Sequence, residues 1–65
     1  MTKYEKFVVS AYTGVYMGRR DEYFEFLNFA AMKLGKTEIY THEIPKVKAE
    51  LKEAVRQEFL IICYS

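Results

Sequence analysis

The chain has 65 residues and a mass of 7.7 kDa, which is enough for one small domain spanning residues 1–65. Of these residues 51% are hydrophobic and 17% aromatic, and ten basic and nine acidic side chains give a net charge of +1, which excludes intrinsic disorder and argues against general nucleic-acid binding. One cysteine and one histidine exclude a disulfide scaffold and a metal site of the usual kind.

Residues 2–17 form the first predicted element. Apolar side chains recur at i, i+3, i+4, i+7 and i+8 from Tyr4 onward, which is typical of one face of a helix. Thr2 and Glu5 have the spacing of a capping box at its start. Valines weaken the helix prediction, so a strand over residues 7–12 is the alternative. Gly14 inside this helix indicates the close approach of another helix or of a ligand.

The second predicted element is a helix that starts after Asp21, a good N-cap, and ends before Gly35, which fits the left-handed C′ position. Together with the first helix it would form an αα-hairpin. Phe24 and Phe29 fall outside its main apolar stripe and widen the apolar surface beyond one face.

The third segment begins with an extended connector or short strand around residues 39–41, and Pro45 then fits the first turn of a C-terminal helix. Glu58 is the one polar residue on the apolar face of that helix, and Cys63 is expected in the core. After residue 58 the chain is apolar on all sides, so we expect a homodimer or higher homo-oligomer with this self-interface: Phe59, Leu60, Ile61, Ile62 and Tyr64. The predicted fold is therefore mostly α, a small three-helix domain.

The turn between the first two helices carries the most functional-looking residues. Arg19 and Arg20 precede a helix N-terminus, and Tyr16 and Tyr23 lie close to them in sequence, so this turn could grip a nucleotide or an acidic partner surface. The alternative is a solvated turn whose arginines pair with nearby carboxylates. Three further residues are candidates for partner or ligand binding: Tyr12, Tyr40 and His42.

Catalysis has little support in the sequence, which lacks a nucleophile elbow, a phosphate loop and paired metal ligands. His42 and Glu43 are adjacent and could supply a general base, but local packing and helix capping explain them more simply. We expect no enzyme activity and no cofactor. The unpaired Cys63 and the absence of a long apolar run favour a cytoplasmic protein without a membrane segment.

Three short phrases resemble one protein family. They are residues 11–14 (AYTG), 41–43 (THE) and 58–60 (EFL), and together they extend over most of the chain. They are similar to phrases in short bacteriophage-encoded proteins that have no assigned activity. The resemblance therefore implies a phage accessory protein in an infected bacterial host and supplies no catalytic residues. The sequence departs from that family at residues 36–39.

Within that context the main hypothesis is a non-enzymatic inhibitor of a bacterial defence system, such as a CRISPR effector, that acts by binding a host protein. The first alternative is a sponge that sequesters a nucleotide immune signal through the turn arginines and tyrosines. The second alternative is a small structural or oligomerisation module of phage physiology.

Overall fold

In a computed structural model of the protein, residues 1–64 are described, and most of them lie in α-helices. The helices are α1 (Lys3–Thr13), α2 (Tyr23–Leu34), α3 (Ile44–Ala54) and α4 (Arg56–Tyr64), and short 3₁₀ turns at Arg20–Glu22 and Thr41–Glu43 precede α2 and α3. No strand occurs among these 64 residues. The prediction of a mostly α fold is confirmed, and residues 7–12 are helical.

Helix α1 begins at the predicted capping box. The Thr2 hydroxyl accepts the Glu5 N–H at 3.2 Å, and the Glu5 carboxylate accepts the Thr2 N–H at 2.9 Å. The helix ends four residues earlier than predicted because Gly14 adopts a left-handed conformation with φ of +80° and caps it. Gly14 therefore lies after the helix, and the group that approaches it closely is the Lys48 side chain of α3.

Helix α2 begins differently from the prediction and ends as predicted. The chain enters it through the 3₁₀ turn, where the Glu22 carboxylate accepts the Arg19 N–H at 3.3 Å, so Asp21 is not the N-cap. At the other end Gly35 has a φ of +70°. The N–H of the next residue, Lys36, donates to the Ala31 carbonyl at 2.8 Å, which is the long hydrogen bond of a Schellman motif.

The predicted C-terminal helix is two helices, so the domain has four helices within residues 1–64 and not three. The break is at Val55, whose φ of −106° and ψ of 5° depart from helical values. Its N–H still donates to the Leu51 carbonyl at 3.1 Å, and its carbonyl accepts the Phe59 N–H at 2.9 Å. The chain thus changes direction without losing these two backbone hydrogen bonds, and both α3 and α4 pack on α1.

The core lies where the four helices meet. Phe7, Phe26 and Phe29 form an aromatic cluster with ring centroids 5.6–6.4 Å apart, and Phe29 is buried although it lies outside the predicted stripe. Ile39 is buried in the connector, which is irregular and not a strand. The remaining buried apolar residues are Val8, Ala11, Leu27, Ala30, Ala31, Val47, Leu51 and Val55.

Glu58, the polar residue on the apolar face, has a partner. Its carboxylate forms an ion pair with the Lys33 ammonium near the end of α2, and the two side chains are only 29% and 18% exposed. The Lys33 nitrogen also lies 5.6 Å from the centre of the Tyr4 ring and 5.7 Å from that of Phe29. The pair therefore ties α4 to α2 and α1.

Candidate functional site

The segment between α1 and α2 forms an open cleft of about 420 Å³. We call it the turn cleft; it is lined by Tyr16, Gly18, Arg20, Tyr23 and Phe24. Three of the residues predicted from sequence, Tyr16, Arg20 and Tyr23, therefore come together here. Phe24 was not predicted as a site residue.

Tyr16 organises the turn cleft. Its hydroxyl donates a hydrogen bond to the Arg19 carbonyl, and its ring lies edge-on to Tyr23 with centroids 5.0 Å apart. A Cβ atom at Gly18 would come within 2.6 Å of the Tyr16 hydroxyl oxygen, so glycine is required for the ring to lie this close to the backbone. The hydrogen bond holds the Tyr16 ring against the turn, and the glycine at position 18 leaves the space for it.

The two arginines of the turn have different surroundings. Arg20 is exposed and lines the turn cleft. The Arg19 side chain pairs with Asp21, with Nε 3.6 Å from Oδ1, and both side chains are about three-quarters exposed. An ion pair this exposed adds little stability. Arg20 is therefore the arginine placed to contact a ligand or partner in the cleft.

The cleft lies in acidic surroundings. Burial raises the pKa of the Tyr16 hydroxyl, and the carboxylates of Glu22, Asp21 and Glu25 raise it further. The same carboxylates act on any anion that enters the cleft. Each of the three has a cation nearby: the Lys3 ammonium lies 2.7 Å from Glu25 and 3.8 Å from Glu22, and Asp21 pairs with Arg19. Arg20 would attract a phosphate group in the cleft, whereas the neighbouring carboxylates would repel it.

Phe24 projects from the first turn of α2 and is 77% exposed. On its other side a second cleft of about 240 Å³ includes Glu38, Tyr40 and Thr41. Phe24 lines both clefts, so an apolar surface continues across it from Tyr23 to Tyr40. The sequence placed both Phe24 and Phe29 outside the apolar stripe of α2, and only the folded chain shows that Phe29 is buried and Phe24 exposed.

Tyr40 and His42 lie side by side, with nearly parallel rings whose centroids are 5.9 Å apart. A hydrogen bond with Glu38 raises the pKa of the Tyr40 hydroxyl. The Glu43 carboxylate accepts the Tyr40 N–H at 3.1 Å, which closes the 3₁₀ turn before α3. Glu43 thus makes a local capping contact, and helix capping was the alternative to a catalytic role for this residue.

Tyr12 lies away from the turn cleft. Its ring stacks on that of Phe59 with centroids 3.9 Å apart, and the Lys52 ammonium lies 4.9 Å from its centre. The contact joins α1 to α4. Tyr12 therefore has a packing role in this fold, and it is not grouped with the other candidate binding residues.

The C-terminal turn is divided between core and surface. Phe59 and Ile62, two of the five residues predicted for a self-interface, are half-buried and pack against the core. Leu60, Ile61 and Tyr64 face outward, with Ile61 68% and Tyr64 87% exposed. Cys63 is exposed and does not lie in the core as expected. The division follows from helical geometry, which allows only one side of α4 to face α1.

Residues 1–64 contain no group of side chains that could hold a metal ion and no helix that could span a membrane. Histidine, cysteine and carboxylate side chains there do not cluster in groups of three that could hold a metal ion. No helix in this part of the chain is both long and apolar enough to span a bilayer.

Comparison with protein families gave one match. The model of a family described as a domain of unknown function (DUF7736) matches residues 5–65, so the chain belongs to that family. Searches of curated proteins and of solved structures returned no match.

Proposed function

We propose that this DUF7736 protein is a non-enzymatic phage accessory protein that binds a host protein and thereby inhibits a bacterial defence system. One observation carries the binding role: Phe24 is 77% exposed beside the half-buried Tyr16 and Tyr23 and the exposed Arg20. The phage context rests on the resemblance at residues 11–14, 41–43 and 58–60.

The composition of this surface matches that of protein-binding hot spots. Tyrosine and arginine are enriched where protein interfaces gain most of their binding energy, and phenylalanine is enriched at interfaces generally. Tyr16 and Tyr23 are half-buried against the core and line the turn cleft, while most of the Phe24 ring is exposed. A partner could therefore seat one large side chain in the turn cleft and cover Phe24 at the same time.

A nucleotide sponge is the second candidate, and one observation favours it. Arg20 and two tyrosine rings line the same cleft, which would suit a base and a phosphate. The carboxylates of Asp21, Glu22 and Glu25 oppose an anion there. Protein binding agrees better with this charge distribution, because a protein partner can present an acidic group to Arg20 and apolar or basic groups to the residues around it.

The proposal is tested by expressing the protein in bacteria that carry individual defence systems and challenging them with phage. Wild-type protein should restore phage growth against at least one system. Arg20→Glu should abolish this effect, whereas Lys46→Glu, the same charge change at an exposed site on α3, should not. If the two variants restore phage growth equally well, the turn cleft is not the binding surface. If wild-type protein restores phage growth against none of the defence systems, the inhibitor role is contradicted.

A thermal-shift panel of linear and cyclic nucleotides separates the two candidates. A nucleotide present at 100 times its Kd should stabilise the wild-type protein by about 2.7 kcal/mol, and Arg20→Glu should lose that effect. No stabilisation by any nucleotide is the result expected for a protein-binding inhibitor.

A further inference from the structure

The two clefts that meet at Phe24 each contain one charged residue, and the two charges have opposite signs. Arg20 is the only charged residue among those that line the turn cleft, and Glu38 is the only one among those that line the second cleft. Both residues are exposed. The surface that continues across Phe24 therefore has a positive end and a negative end.

The positive charge of Arg20 is not neutralised within the fold. The carboxylates that follow Arg20 in the sequence already have cations, since Asp21 pairs with Arg19 and Glu22 lies 3.8 Å from the Lys3 ammonium. Arg20 itself takes part in none of the ion pairs found within residues 1–64. A carboxylate of a partner can therefore bind Arg20 without displacing an internal carboxylate.

The negative charge of Glu38 likewise has no cation beside it in the described part of the chain. A hydrogen bond with Glu38 raises the pKa of the Tyr40 hydroxyl, which therefore keeps its proton and donates to the carboxylate. The Glu43 carboxylate, which accepts the Tyr40 N–H at 3.1 Å, adds a second negative charge nearby. Because a hydroxyl group does not neutralise a carboxylate, this end of the surface favours a cationic group.

Phe24 separates the two charges and is 77% exposed. An exposed aromatic ring is stabilised most by an apolar side chain that covers it, because the contact removes apolar area from water. Charged groups beside such a contact select the partner and fix its orientation more than they add affinity. The surface therefore suits one short segment that presents three groups in order: a carboxylate, an apolar side chain and a cation.

We infer that the partner docks through a peptide segment that places a carboxylate on Arg20, an apolar side chain over Phe24 and a lysine or arginine on Glu38. This inference rests on the proposed function, since it states which groups a protein partner presents to the turn cleft and its neighbour. A carboxylate suits Arg20 better than a phosphate monoester does. It carries one negative charge instead of about 1.5–2, so the carboxylates around the turn cleft repel it less.

A groove of about 340 Å³ between α1 and α2 provides a contrast. Tyr4 and Met32 are among its lining residues, and its two charged residues are Lys3 and Glu25. These two pair with each other, with 2.7 Å between the ammonium nitrogen and the carboxylate oxygen. The charges of this groove are therefore satisfied internally and do not select an occupant, unlike those on either side of Phe24.

Selection of binders from a random peptide library against the purified full chain tests the inference without a host or a phage. Peptides of about 12 residues extend to roughly 40 Å, which exceeds the largest extent of the protein, 32 Å. Wild-type protein should enrich peptides that carry an acidic and a basic residue on opposite sides of an apolar residue. Phe24→Ala should lose this enrichment, and Ile61→Ala, at a similarly exposed site on α4, should keep it. Circular dichroism checks that each variant is folded.

An exchange of charges tests the two ends of the surface separately. Arg20→Glu and Glu38→Lys should each weaken binding of a selected peptide by roughly threefold to tenfold, because an exposed charge pair becomes a repulsion. Changing the acidic residue of the peptide to lysine should restore binding to Arg20→Glu within about twofold, and changing its basic residue to glutamate should do the same for Glu38→Lys. Lys46→Glu and Glu50→Lys make the same charge changes at exposed sites on α3 and should leave the affinity unchanged.

Failure of the inference and failure of the proposed function are distinguishable. Enrichment of peptides without the two charges, no enrichment of any peptide, or rescue of neither variant by the exchanged peptides would overturn the inference, even if phage growth still depended on Arg20. The expected peptide pattern and both rescues, found with a protein that restores phage growth against no defence system, would support the inference and contradict the inhibitor role.

Discussion

Replacing Glu58 with glutamine should destabilise the fold, because it removes the charge that Lys33 faces at the junction of α4 with α2. The two side chains are 29% and 18% exposed, so solvent screens their pairing only in part. A hydrogen bond to a charged group contributes about 1.5–3 kcal/mol, and a fully exposed ion pair contributes about 0–1 kcal/mol. Since the glutamine amide can still accept a hydrogen bond from Lys33, we expect a loss of about 1–2 kcal/mol at pH 7.

The loss should depend on pH with a definite sign. The hydrogen bond from Lys33 lowers the pKa of the Glu58 carboxyl below its ordinary 4.5, so its contribution is present above that pH and disappears as pH falls through the folded-state pKa. The hydrogen bond to Glu58 raises the pKa of Lys33 above 10.5, so its contribution disappears only as pH rises through that higher value. The window of stabilisation includes pH 7.

Urea unfolding and thermal unfolding, both followed by circular dichroism, measure the effect at pH 7 and at successively lower pH, since the contribution disappears as pH falls through the folded-state pKa of Glu58. We expect the variant to be less stable than wild type at pH 7, with a Tm lower by roughly 4–16 °C for a domain of this size. At low pH the two proteins should be equally stable. Glu53→Gln is the matched control, since its pair with Arg56 is 70% and 58% exposed. A Glu58→Gln variant no less stable than Glu53→Gln at pH 7, or a deficit unchanged at low pH, would refute the reasoning.

Three further predictions follow from packing and exposure. Gly14→Ala and Gly35→Ala should each cost about 1–2 kcal/mol in urea unfolding from backbone strain, since both glycines have a positive φ, a Cβ at residue 35 meets nothing within 4 Å, and a Cβ at residue 14 meets only the flexible end of the Lys48 side chain; an unchanged stability in either variant would contradict this. Tyr12→Ala should cost about 2 kcal/mol, roughly half the loss for a fully buried aromatic ring, because Tyr12 is half-buried where it stacks on Phe59; a loss below about 0.5 kcal/mol would show that this contact does not stabilise the fold. The Cys63 thiol should react with a disulfide reagent in native protein as fast as in urea, and strong protection would mean that it is buried.

Helices, caps and core were predictable because they follow from local rules. The spacing of Phe7, Val8 and Ala11 indicated the buried side of α1, and these residues are buried. Thr2 with Glu5 and Gly35 with its positive φ indicated helix ends that the structure contains. In each case the residues that decide the conformation lie within about five positions of one another.

What could not be predicted depends on contacts between distant residues. Lys33 and Glu58 are 25 positions apart, and only the folded chain shows that they pair. The break at Val55 follows from packing of both α3 and α4 on α1, since valine carries no local signal for a kink. Cys63 belongs to an apolar run, and its exposure depends on which side of α4 faces α1.

The candidate site could be predicted in part. Tyr16, Arg20 and Tyr23 meet because they flank one short turn, which the sequence shows directly. Tyr12 was grouped with them by residue type alone, and the fold turns it toward Phe59 instead.

A buried hydroxyl fixes the shape of the segment that leads from α1 to the turn cleft. The Ser10 side chain is 2% exposed; it donates to the Lys6 carbonyl at 2.7 Å and accepts the Met17 N–H at 2.8 Å. One residue before that anchor, Tyr16 is tied to the Arg19 carbonyl. The cleft is therefore preorganised, and a partner that binds there loses less conformational entropy in ordering this loop than it would with an untethered one.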